Sequence, residues 1–277
     1  MPAPVPELPR RLVYLGTPEM AVAPLYALAD AGFDIPLVIT RVDKRRGRGS
    51  ELSPSPVKAA ALDLGVPVSH RVDDALSVGA DLGVVVAFGQ IIKPQVLDVL
   101  PMVNIHFSLL PRWRGAAPVE RALLAGDATT GTCLMQLEEG LDTGPIYDRV
   151  EVPIGERTTG DELRAELVAV GCGQLIRCLR GGLRAAEAQV GEATYAAKLT
   201  ADDFRLDWDR PAAELDRVVR LGGAWTTLRG KRLKILVADI AADGLVPSRV
   251  QPEGKGPMSW RDFCNGVRWT TDDRLGS

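Results

Sequence analysis

The chain has 277 residues, 33 basic against 36 acidic side chains, a formal net charge of -3, 46% hydrophobic and 25% charged residues. This composition excludes a disordered or low-complexity protein, and no apolar run approaches the ~18 residues that a membrane span needs. The length allows one large domain or two modest ones.

The opening MPAPVPELPRR is Pro-rich and too polar for a signal peptide, so residues 1–10 read as a disordered tail. RLVYLG (11–16) then predicts a buried strand and Glu19 to Ala31 an amphipathic helix. IPLVIT (35–40) predicts a second strand, and PVKAAALDLG (56–65) a helix opened by Pro and closed by Gly. LGVVVAFG (82–89), the most apolar β-branched run, predicts a central strand, followed by IIKPQVLDVL and VNIHFS. Strands alternating with helices imply an α/β, doubly wound, mostly parallel sheet. In such sheets ligands sit beyond the carboxyl ends of the strands, just after VVVAFG and VNIH. The turn after the first strand, Leu15-Gly16-Thr17-Pro18-Glu19, lacks the later glycines of GxGxxG, and no Walker A lysine is present. Nucleotide binding is not expected.

Thr159 to Leu183 predicts a helix that closes this first domain over 11–185, with a Gly/Ala/Glu-rich linker over 186–205. From 206 to 277 the pattern changes to a short helix (PAAELDRVVRL), strands around 224–240 and 247–250, and a tail bearing Trp260 and Trp269. That is a second, small β domain. Four cysteines, Cys133, Cys172, Cys178 and Cys264, form no CxxC pair, so neither a metal site nor a disulfide framework is expected. A reduced, cytoplasmic protein fits that usage.

Charge is informative locally. RVDKRRGR (41–48) and RGKRLK (229–234) carry a net +4 each on an otherwise acidic chain. Such clusters are either polyanion sites or solvated basic loops, and charge alone leaves both open. Of the two histidines, His70 reads as a surface or edge residue. His106 lies in Val103-Asn104-Ile105-His106-Phe107-Ser108, where Asn104, His106 and Ser108 share one strand face at period two. Three polar groups on one face of an apolar strand are costly unless they pair or line a cavity. Gly140-Leu141-Asp142-Thr143-Gly144 places a carboxylate between glycines, either in a simple turn or in close approach to another segment.

Together, Asn104-x-His106-x-Ser108-Leu109-Leu110-Pro111, the following Arg112-Trp113-Arg114-Gly115-Ala116-Ala117-Pro118, and Gly140 to Gly144 resemble the formyltransferases that use 10-formyltetrahydrofolate. Further segments resemble the branch whose acceptor is methionyl-tRNA: Gly16-Thr17-Pro18, Gly47-Arg48-Gly49, Pro54-Ser55-Pro56-Val57-Lys58, Tyr195-Ala196-x-Lys198, Leu206-Asp207-Trp208, and Gln251-Pro252-Glu253-Gly254-Lys255 with Met258. The resemblance covers about residues 11–265. It implies transfer of a formyl group from 10-formyltetrahydrofolate to the α-amino group of initiator methionyl-tRNA, by a monomer without metal. Asn104 and His106 would stabilise the oxyanion, and Asp142 would pair with His106 and assist proton transfer. Ser108, Leu109, Leu110 and Pro111, with Phe88, Gly89, Gln90 and Ile91, would shape the folate pocket. Lys44, Arg45, Arg46 and Arg48, with Arg112 and Arg114, would contact the tRNA, making binding salt dependent.

The chain departs from that pattern in three places. Glu120 stands where the family has Gln, the stretch before Ala224-Trp225 is not Pro-rich, and about two strands are missing between Asp243-Gly244 and Gln251. The second domain is therefore expected as a shortened, OB-like β-barrel, with Trp260 and Trp269 covering part of the gap. An amino-sugar or water acceptor, and a non-catalytic RNA-binding relative, are the competing readings. Neither accounts for the basic loop together with an intact Asn104, His106 and Asp142.

Overall fold

The computed structural model describes residues 2–45 and 52–277, so Arg46 and Arg48, two of the expected RNA contacts, lie outside the described residues. The chain divides into two compact units. Unit 1 holds Met1–Pro118, Thr129–Pro153 and Arg164–Ala196, and unit 2 holds Val119–Ala128, Ile154–Leu163 and Ala197–Ser277.

In chain order the first strands and helices are β1 (Arg11–Gly16), α1 (Val22–Asp30), β2 (Asp34–Ile39), a short antiparallel pair β3 (Lys44–Arg45) and β4 (Leu52–Ser53), α2 (Pro56–Asp63) and β5 (Val68–Ser69). Then come β6 (Leu82–Val86), α3 (Pro94–Leu97), β7 (Met102–His106), β8 (Arg114–Gly115), α4 (Pro118–Ala125), β9 (Thr129–Gln136), β10 (Ile146–Pro153) and α5 (Gly160–Gly181). A seven-stranded sheet runs in the order β10-β9-β7-β6-β1-β2-β5. Pairing is parallel from β5 through β7 and antiparallel at β7–β9 and β9–β10. The expected mostly parallel α/β sheet is what forms, and the apolar LGVVV run is its middle strand.

Residue chemistry explains the layers. β6 is buried on both faces, and each Val or Leu so covered contributes about 1.5–3 kcal/mol. Gly83 lets β7 sit close, since a Cβ there would lie 2.6 Å from Met102 Cγ. On one face of the sheet Val13, Leu15, Val85 and Met102 share a core with Val96 and Leu97 of α3. On the other, α5 approaches through Gly171, where a Cβ would meet Ile105 Cγ2 at 3.1 Å. Alternation along β7 therefore sends Ile105 toward α5 and leaves Asn104 and His106 on the opposite face. α2 begins because Ser55 caps it, accepting from the Lys58 N–H at 3.0 Å, with Pro56 in its first turn.

Residues 2–10 are not the floppy tail that their polarity suggests. The Ala3 N–H donates to Leu97 O, the Leu183 N–H to Glu7 O, and the Arg10 and Arg11 N–H groups both to Asp81 Oδ2. The segment's own main-chain groups make all these bonds, and those leave no trace in its side-chain pattern. The segment expected as a linker is also partly ordered within unit 1. Glu187 exchanges backbone hydrogen bonds with Ile146, and β11 (Tyr195–Ala196) pairs with β8.

Unit 2 contains α6 (Ala212–Leu221), β12 (Trp225–Leu228), β13 (Lys231–Ala241), β14 (Gly244–Pro252), β15 (Met258–Ser259) and α7 (Trp260–Val267). The expected shortened β domain forms as an antiparallel sheet in the order β12-β13-β14-β15. β13 and β14 join directly through Ala242-Asp243 and form one long hairpin. α6 and α7 pack on the sheet, burying Leu215, Val219, Leu233, Ile235, Val250 and Phe263. Trp260 stacks on Phe263 at 5.5 Å and meets Trp269 edge-on at 5.2 Å, extending this apolar layer.

Candidate active site

The candidate site lies within unit 1, at the carboxyl end of β7. Asn104 and His106 are 8% and 5% exposed and Ser108 is fully buried. Their cross-strand partners on β9 are Met135 for Asn104 and Cys133 for His106, which with Leu110 and Ile146 form a small apolar cluster. Burial pushes the Cys133 thiol up to about 11, so it stays protonated beside the imidazole.

The His106 ring is held on two sides. Nε2 lies 2.8 Å from Trp113 O, and because a carbonyl only accepts, Nε2 carries the donating proton. Nδ1 faces Asp142 Oδ2 at 3.7 Å, an ion-pair distance rather than a hydrogen bond. The Asp142 carboxylate is fixed separately by the Gly115 N–H, at 2.8 Å. Asp142 itself has φ +50°, a left-handed conformation that favours Gly and Asn over other residues. The loop carrying it closes tightly at Gly144, where a Cβ would lie 1.9 Å from Gln136 O. Among the described residues nothing hydrogen-bonds the Asn104 side-chain amide, and it is not sealed from solvent, so its donors are available to a ligand.

The residues expected to shape the folate pocket divide in two. Ser108 Oγ donates to Arg112 O at 2.6 Å and closes the turn, Leu110 is buried in the small cluster, and Phe88 is buried in the sheet core. Gly89, Gln90 and Ile91 are exposed, and Leu109 and Pro111 are half-buried. The 88–91 loop is anchored by Thr17 Oγ1, which donates to Phe88 O at 3.2 Å, and by the Arg41 guanidinium, which donates to Gly89 O. The expected basic contacts also divide. Lys44 is exposed, and the exposed Arg112 lies over the Trp113 ring at 4.5 Å. Arg114 is half-buried and bonded to Gln189 Oε1 through Nε and Nη2, at 3.1 and 2.7 Å, so it braces the loops.

The Formyl transferase family matches residues 10–179, and the Formyl transferase C-terminal domain matches residues 198–244. Methionyl-tRNA formyltransferase of Roseobacter denitrificans is 41% identical, over 92% of this chain and 95% of the relative. That of Paenarthrobacter aurescens is 43% identical, over 93% and 97%. The chain belongs to the methionyl-tRNA formyltransferase family. Among solved structures, the N-formyltransferase from Helicobacter canadensis in complex with folinic acid and dTDP-3-aminofucose shares the fold. Its TM-score is 0.67 at 16% identity, over 90% of this chain and 98% of that one. A sugar 3N-formyltransferase, WlaRD, gives 0.64 at 19%, over 84% and 86%. The C-terminal match of the family ends at Gly244, the first residue of β14 in the hairpin.

Sequence reasoning missed the groups that hold this family's motif residues in place: Trp113 O, the Gly115 N–H, Thr17, Arg41, Gln189 and Thr194. Thr194 Oγ1 accepts from the Trp113 N–H at 2.9 Å, and Trp113 has φ +63°. Two of these six, Trp113 O and the Gly115 N–H, are main-chain groups, which side-chain spacing cannot reveal. Thr194 had one usable signal, its position next to Tyr195-Ala196-x-Lys198.

Proposed function

We infer that the chain transfers a formyl group from 10-formyltetrahydrofolate to the α-amino group of initiator methionyl-tRNA. The observation that carries this reading is full-length identity of 41–43% to methionyl-tRNA formyltransferases, joined to Asn104, His106 and Asp142 meeting at one strand end. The sugar-acting structural neighbours share the fold at 16–19% identity, which does not bear on the acceptor.

The amine attacks the formyl carbon and negative charge develops on the formyl oxygen; collapse then breaks the bond between that carbon and folate N10, and the nitrogen takes up a proton as tetrahydrofolate leaves. Exposed Gly89, Gln90 and Ile91, with Pro111, form the edge where a planar, partly apolar ring system would rest. Asn104 holds open amide donors at the buried strand end, suited to the developing oxyanion. His106 Nδ1 is the ring nitrogen not used by a protein hydrogen bond, so it takes the proton that the amine loses. Asp142 stabilises the ring once it is charged, and Trp113 O keeps the ring from turning. Lys44, Arg45, Arg46 and Arg48, with Arg112, supply positive charge for the acceptor arm, and Arg114 positions the loop beneath it. Charged tRNA and a folate donor as substrates support a cytoplasmic reaction.

The direct test is formylation of methionine-charged initiator tRNA with 10-formyltetrahydrofolate at several salt concentrations. Product is expected, and KM for tRNA should rise steeply with salt. Formylation of a nucleotide-linked amino sugar, with none on tRNA, would overturn the acceptor.

A further inference from the structure

We propose that Gln189 is a positioning residue that sets Asp142 against His106. It rests on the formyl-transfer reading above for its effect on rate, and on geometry alone for its effect on the imidazole. Gln189 lies in the segment that composition marks as linker, between the exposed Ala188 and Val190. Its amide is fully used. Nε2 donates to both Asp142 O and Gly144 O, at 2.8 Å each, and Oε1 accepts from Nε and Nη2 of Arg114, at 3.1 and 2.7 Å. Two donors meet two carbonyls and one acceptor meets two guanidinium donors, so the opposite amide orientation would face like against like.

Gln189 therefore ties together the two loops on which the imidazole depends. One carries Trp113 O, bonded to His106 Nε2, and the Gly115 N–H, bonded to Asp142 Oδ2. The other carries Asp142, whose left-handed backbone (φ +50°) persists only if its surroundings hold it there. Gln189 is the side chain that grips the Asp142 carbonyl. Without it the 141–143 peptides can relax, and the carboxylate leaves both the Gly115 N–H and the imidazole.

The test pairs kinetics with a spectroscopic reading on the full chain. Gln189→Ala should lower kcat about 10–100-fold while KM for tRNA and folate stays within about twofold, because a misplacement near 1 Å costs about that much. In an Asp142→Asn background the same change should cost less than about twofold, since the group that it positions is already disabled. The chain has only two histidines, His70 and His106, so the ring C–H spectrum is simple. Gln189→Ala should move the His106 signals in the same direction as Asp142→Asn and leave His70 unchanged. Gln189→Met, close in volume, serves if the Ala variant does not fold, and each variant is checked by thermal melting. An unchanged His106 spectrum, an unchanged kcat, or the full loss repeated in the Asp142→Asn background overturns the proposal. If the parent chain formylates no methionyl-tRNA, the functional reading fails, and the His106 signals still decide the role of Gln189.

Discussion

Replacing Asp142 by Asn separates the structural from the chemical work of the carboxylate. The amide has nearly the same shape and still offers an oxygen to the Gly115 N–H, which donates to Oδ2 at 2.8 Å. What changes is charge. A hydrogen bond to a charged group contributes about 1.5–3 kcal/mol and a neutral one about 0.5–1.5, so the fold should lose about 1 kcal/mol. In a domain of this size that lowers Tm by about 2–4 °C. The catalytic cost is larger. The carboxylate is 3.7 Å from His106 Nδ1, and its attraction to the ring grows as the ring takes a proton from the amine. Losing general acid–base assistance of this kind lowers kcat by about 10²–10⁴. Single-turnover formylation with saturating donor isolates that step, with melting measured on the same samples. A rate within about tenfold of the parent, in a variant that melts normally, would refute the proton-transfer role of Asp142.

Four further outcomes are expected. Asn104→Ala should lower kcat about 10²–10³-fold with little change in folate binding, measured by single turnover and donor titration, as for loss of one oxyanion donor. Gly144→Ala forces a Cβ to within 1.9 Å of Gln136 O, so the loop must shift, and kcat should fall about 10²-fold while circular dichroism stays native. Burial pushes Cys133, Cys172 and Cys178 each up to about 11, above the ordinary thiol value of 9. Their stabilising effect is complete below pH 9 and lost as pH rises through 11, so urea midpoints should decline over that window. Native Cys133 should resist alkylation at pH 8, as read by mass spectrometry.

The parallel part of the sheet was legible because β1, β2, β6 and β7 are short apolar runs bounded by turns, and LGVVV, the most apolar of them, is the middle strand; β10, IYDRVEVP, is largely polar and gave no such signal. The polar face of β7 was legible for the same reason, since period two separates Asn104 and His106 from Ile105. The partners of that face were not legible. Trp113 O and the Gly115 N–H belong to every amino acid alike, so no spacing of residue types could mark them. Gln189 sits in a stretch whose composition suits a linker, and its importance arises only because Asp142 and Arg114 arrive from elsewhere in the chain. Whether the shortened second unit closes into a full barrel was not legible, for a different reason. A hairpin and a barrel corner need the same alternation and the same turn residues, here Asp243-Gly244. What distinguishes them is whether further strands exist to pair with the edges. In this chain α7 follows β15 directly, and Phe263, Trp260 and Trp269 supply the apolar surface that additional strands would otherwise have provided. Closing the hydrophobic core, not completing a sheet, is the requirement that the second unit meets.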